Sequence, residues 1–152
     1  MKAAPTLDGR IRIDLEDAMD LVVLRAIIAD AHARDDDLAS RLSAGTDPDL
    51  AEDWDDYVLP ELRASFNSQL ETIVGALAEV TPGDTLFIGR EDAEAWFGGL
   101  NQARLALEDR YGLAGADEDA QDGEMKSAGI RSHFYQMLQG MLLHFLMSGE
   151  NP

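Results

Sequence analysis

The stretch Ile11-Arg12-Ile13-Asp14-Leu15-Glu16-Asp17-Ala18 decides how the chain is read. Ile11 and Ile13 alternate with Arg12, the two-residue period of a strand with one face on a core. Asp14 then reads as a helix N-cap, with Glu16 and Asp17 in a first turn where the positive end of the helix dipole favours them. The pattern returns at Leu86-Phe87-Ile88-Gly89-Arg90-Glu91-Asp92-Ala93, offset throughout by 75 positions, close to half of the 152 residues. Ile13, Glu16, Asp17 and Ala18 are identical to their counterparts Ile88, Glu91, Asp92 and Ala93. A self-similarity of this kind has to be weighed before a fold is named. It predicts a mainly α, four-helix single domain with two short paired β-strands, in the order strand, helix, helix, twice over, with an internal pseudo-repeat as the accompanying hypothesis. The domain spans residues 1–152, with its core at about 8–149.

Outward from the first strand, Leu15, Met19, Val22, Ala26 and Ala29 give one apolar helix face, while Leu21, Leu24 and Ile28 give a second on nearly the opposite side. A helix apolar on two sides is sandwiched between neighbours or lies at a subunit contact. Pro60 suits the first turn of the next helix, where its missing N–H costs nothing. There Leu62, Phe66, Ile73, Leu77 and Val80 form a single stripe, and Trp54 and Tyr57 just before it are expected to anchor the acidic loop to the core. Pro82-Gly83 stops that helix. The last helix, roughly Met125–Met147, carries Ile130, Phe134, Met137, Met141 and Phe145 as its main stripe, widened by Leu138 and Leu142. Tyr135, Leu143, Leu146 and Met147 cover other sides, and together with Leu21, Leu24 and Ile28 they are the candidates for a homodimer interface.

Between these lies Asp92–Tyr111, where Ala93, Trp96, Phe97, Leu100, Leu107 and Tyr111 recur at helical spacing. Arg104 falls roughly 20° from the centre of that face. A guanidinium cannot shed its charge to escape burial, so it needs a partner or an opening to water. Asn101, Arg104 and Glu108 stand one turn apart. They read first as a semi-buried polar cluster in which Arg104 pairs with a carboxylate from another helix. The functional alternative is an anion-binding or partner-docking arginine. Catalysis lacks a nucleophile or general base beside it. Gly98-Gly99 inside this helix points to the close approach of a neighbouring helix.

Thirty acidic against twelve basic residues leave a net charge of −18. That balance argues against nucleic acid and anionic membranes as partners, because counterion release at phosphates needs clustered Lys and Arg. The acid gathers in two expected loops, 35–56 and 114–124, read as solvated surface or as a docking face for a basic protein. No cysteine is present, which excludes disulfides and thiolate chemistry. No apolar run approaches the roughly 20 residues of a membrane span, and the N-terminus lacks a signal-peptide stretch, so a cytoplasmic location is the simplest expectation. His133 and His144 share an edge of the last helix but stand about 16 Å apart along it, too far to share a metal ion. Asp117, Asp119 and Asp122-Gly123 miss the glycine and glutamate positions of a calcium loop. No phosphate loop or dinucleotide fingerprint occurs. No metal and no cofactor is expected.

The residues Asp92-Ala93-Glu94-Ala95-Trp96, Leu100-Asn101, Arg104-Leu105-Ala106-Leu107 and His133-Phe134-Tyr135-Gln136-x-Leu138-Gln139 resemble the bacterial family of domain of unknown function number two thousand and seventeen. The resemblance is clearest over residues 84–149. It departs at Glu108, where the family often carries glycine. The resemblance implies no established activity and no catalytic residue. Gene neighbourhood with the ClpS adaptor suggests a link to regulated proteolysis, and Asn101, Arg104 and Trp96 carry over as motif positions without a role. The expectation is therefore a non-enzymatic protein-interaction or regulatory module, with a Clp-system component or a basic protein as partner. The alternative is a small-molecule or anion binder, or an enzyme, with its site around Arg104, Asn101, Glu108 and Trp96.

Overall fold

Asp8-Gly9 closes a hairpin: Gly9 takes a φ of +82°, and Thr6 N–H donates to the Arg10 carbonyl at 2.8 Å. In the computed structural model, which describes residues 1–32, 37–117, 119 and 122–148, this hairpin joins β1 (Lys2–Pro5) to β2 (Ile11–Asp14). β2 pairs on its other side with β3 (Thr85–Ile88), so the sheet runs β1-β2-β3, antiparallel throughout. The expected pairing of the two internal strands is present. The third strand escapes the periodicity reading because Lys2-Ala3-Ala4-Pro5 has no apolar alternation. Pro5 is tolerated there because β1 lies at the sheet edge.

Ile11, Ile13, Leu86 and Ile88 all point to the core, while Arg12 and Phe87 face out opposite each other. Arg12 pairing with Phe87 is the register that an internal two-fold between the repeated segments would produce. The helices do not follow it. Helix α5 (Arg90–Tyr111) packs along both α4 (Leu59–Leu77) and α6 (Gly123–Ser148), whereas α1 (Ala18–Ala31) packs chiefly on α5 and only lightly on α4.

The cap of α1 is Asp17, not Asp14. Asp17 accepts from the N–H groups of Met19 (2.8 Å) and Asp20 (3.1 Å), and Asp20 returns the bond to Asp17 N–H, completing a capping box. Extended pairing explains the shift: Leu15 N–H donates to Asp84 and its carbonyl accepts from Gly83, which keeps the chain out of helix until Leu15 is buried. Asp14 instead accepts from Arg12 Nε (2.8 Å) and Thr85 (3.0 Å).

The first acidic segment is not simply a loop. It holds α2 (Leu38–Ser43), capped by Asp37, and α3 (Ala51–Asp53), which runs through a π turn (Trp54–Val58) into α4. Residues 33–36 lie outside the described residues, as do 118, 120 and 121 of the second acidic segment, where a 3-10 turn covers Leu113–Gly115. Trp54, expected to reach the core, instead ties the segment to itself by donating to Ser43 Oγ at 2.6 Å, and Tyr57 is 72% exposed.

α5 is the axis of the core. Trp96, Leu100, Ala103 and Leu107 are buried in it, and Gly99 lets α4 approach so closely that an added Cβ would overlap Ile73 Cδ1. The main stripe expected on α6 is rotated. The buried face is Tyr135, Leu138, Gln139, Leu142 and Phe145, leaving Ile130 69% and Met137 58% exposed. Polar groups with partners decide the rotation, since Tyr135 and Gln139 both enter the core hydrogen-bonded. No described helix is long and apolar enough to cross a membrane.

Candidate functional site

Arg104 lies on α5 where that helix faces the middle of α6. Its Nη1 donates to Oε1 of Gln139, and Gln139 is itself anchored through Nε2 to the Phe97 carbonyl at 3.2 Å. Gln139 is buried, so the amide has little freedom and the guanidinium is held from one end. Nε of Arg104 is covered and has no hydrogen-bond partner among the described residues. Among the described residues no carboxylate pairs with Arg104, where one was expected. Glu108, one turn on, points its oxygens at Ala114 N–H (3.1 and 3.2 Å), satisfying the chain after α5 ends at Gly112, a residue in the left-handed conformation.

Beside Arg104 opens a cleft of about 900 Å³ between α5, the 3-10 turn and α6. Arg104, Glu108, Asp119, Lys126, His133 and Gln136 contribute to its polar lining, and Leu113 and Ile130 to its apolar walls. Ser132 also lines it, but adjacent helix positions diverge by about 100°, and no hydrogen bond joins Ser132 to His133 among the described residues. A serine–histidine pair is therefore not assembled. No group of three or more His, Asp or Glu side chains among the described residues is placed to hold a metal ion.

The other nominated residues are elsewhere. Asn101 is half-buried without a side-chain hydrogen bond among the described residues and does not line the cleft, and Trp96 is a core residue. Tyr135, Leu21 and Leu24, nominated for an interface, are buried within the monomer, and Ile28 and Leu146 are partly so. Leu143 and Met147 are exposed.

An arginine–carboxylate pair of the expected kind is made one helix away. Arg131 of α6 donates through Nε (2.8 Å) and Nη2 (3.0 Å) to the two oxygens of Asp30 on α1, and Tyr135 Oη donates to the same carboxylate at 2.7 Å. Burial first, and then the hydrogen bond to Asp30, push the Tyr135 phenol well above the usual tyrosine range. The hydrogen bond to Asp30 likewise raises Arg131. The reading from sequence overlooked this cluster, although Arg131 and Tyr135 sit four apart on one helix face, a polar interruption of the same kind as Arg104.

The model of the family described as "Domain of unknown function (DUF2017)" matches residues 4–146. The chain belongs to this family. No curated protein and no solved structure matches it. The DUF2017 match extends well beyond the C-terminal half that carries the resemblance in sequence. It takes in both walls of the cleft, the Gln139 anchor and the Asp30–Arg131 pair.

Proposed function

We propose that this DUF2017 chain is a non-enzymatic binding module whose site is the cleft beside Arg104, and that it takes up a ligand bearing an acidic group. One observation carries the reading: a permanently charged guanidinium, oriented by Gln139, keeps a covered Nε without an acceptor among the described residues, next to a cleft large enough for a small molecule. A buried donor left without an acceptor costs about 1–3 kcal/mol, and an entering acceptor recovers it. The test is thermal unfolding across a panel of small anions. A ligand at a hundred times its dissociation constant stabilises by about 2.7 kcal/mol, and Arg104→Gln removes that gain. A panel in which no anion raises the unfolding temperature defeats the reading.

A protein-interaction role, regulatory in a bacterial cytoplasm and tied to regulated proteolysis, is the second reading. The exposed apolar residues Met137, Leu143 and Met147 on α6 favour a contact surface. With a second copy as occupant, two chains of −18 repel, so association strengthens as salt rises. Sedimentation at low and high salt tests the dimer, and binding of purified Clp components tests the proteolysis link.

A further inference from the structure

We infer that the ligand is a small carboxylate with an apolar body, held side-on by Nε and Nη2 of Arg104; this rests on the binding reading above and adds the ligand's chemistry. The chain itself displays what this edge of a guanidinium does. Arg131 uses the same two nitrogens to hold both oxygens of the Asp30 carboxylate, at 2.8 and 3.0 Å. In Arg104 the Nη1 end is committed to Gln139, and neither Nε nor Nη2 donates to a described residue. Two parallel N–H groups match two carboxylate oxygens in a planar fork. Because Nε is covered, the entering group closes onto it as the walls adjust.

The surroundings select against a larger anion. Lys126 and His133 are the further basic groups on the lining, and Glu108 and Asp119 stand on the same walls with opposite charge. A phosphate dianion or a polyphosphate needs more donors than the fork provides, and it approaches a chain of −18 against long-range repulsion. A single negative charge meets the least of that penalty. The rest of the ligand has apolar surface to cover: Leu113 closes one side and Ile130, 69% exposed, the other. Gly129 adds no side chain between them, and a Cβ there would meet nothing within 4 Å.

The test follows the Nε–Hε signals of the arginine side chains by proton–nitrogen spectroscopy on the full chain. Arg104→Lys assigns the resonance by its disappearance, and circular dichroism checks that the variant folds. Hexanoate, its neutral counterpart hexanamide, and inorganic phosphate are the probes. The inference expects saturable movement of the Arg104 signal with hexanoate, none with hexanamide, and tightening of about fourfold per methylene from butyrate to hexanoate. Ile130→Ser, a surface change that leaves the core intact, flattens that chain-length dependence. Phosphate saturating the site at lower concentration than hexanoate overturns the carboxylate inference and leaves the binding reading standing. Equal binding of butyrate and hexanoate overturns the apolar body. Spectra unmoved by every probe overturn the inference and the binding reading together.

Discussion

Arg131 and Asp30, 101 residues apart in sequence, clasp each other through two parallel hydrogen bonds and tie the last helix to the first. Tyr135 completes the arrangement from one turn along α6. Removing one partner of such a buried pair leaves the other charge uncompensated, whereas removing both does not. Arg131→Met is therefore expected to lower the urea midpoint by the equivalent of roughly 3 kcal/mol, and the double change Asp30→Leu with Arg131→Met to recover much of it. A double variant as unstable as the single one contradicts this account.

Tyr135 contributes in a pH-dependent way. Its folded-state phenol is raised by burial, so the contribution is fully present below the ordinary tyrosine value of about 10 and is lost as pH rises beyond it, where the unfolded chain ionises and the folded one does not. Tyr135→Phe should cost about 1–2 kcal/mol at pH 7 and flatten the alkaline decline. Unfolding midpoints at pH 7 and pH 11 report both effects.

At the acid end, Asp37 is the group to watch. The Arg63 guanidinium, 2.5 Å away, is the main cause that holds its carboxyl down at about 2, against an ordinary 3.8, while the same carboxylate caps α2. Its contribution is present above pH 4 and disappears as pH falls toward 2. Arg63→Leu should shift the acid transition of α2 to higher pH, measured through Trp54 fluorescence.

Gly99 and Gly75 make opposite predictions for the same substitution. Gly99→Ala drives a methyl into Ile73, with an expected loss of about 1–3 kcal/mol that outweighs the helix-propensity gain. Gly75→Ala on α4 has open space around it and should stabilise by up to about 1 kcal/mol. Denaturant curves of the two variants should move in opposite directions.

Arg104→Leu separates stability from binding. Leucine removes a covered donor that has no acceptor among the described residues but leaves the buried Gln139 Oε1 unpaired, so the two effects largely offset and stability should change by no more than about 1–2 kcal/mol while the response to carboxylates is abolished. A variant that loses several kcal/mol would instead make Arg104 a structural residue.

The strand pair, the mainly helical character and the tight approach at Gly98-Gly99 were legible because each writes a local signature: a two-residue period, a helical period, a glycine pair inside a helix. Arg104 was legible for the same reason, as a charge inside an apolar stripe. Its partner was not, because Gln139 on α6 counts as polar on any hydropathy pattern and enters the core only once Phe97 and Arg104 satisfy it. The same reasoning misplaced the buried face of α6, where Tyr135 was expected near the surface and Ile130 and Met137 inside. Hydrogen-bond satisfaction between segments distant in sequence outweighs local hydrophobic ranking, and no single stretch records it. The edge strand β1 stayed hidden for a further reason, since its pairing rests on backbone groups rather than on side-chain alternation.

The clasp between α1 and α6 also sets an order of events during synthesis. Asp30 is made early, but its guanidinium partner is encoded 101 residues later, on the helix that also covers one side of α5. Contacts of such sequence separation form slowly and leave apolar surface uncovered until they do. Ribosome-bound chains halted before residue 131 should thus be protease-sensitive throughout α1. The later helix decides when the earlier one becomes stable.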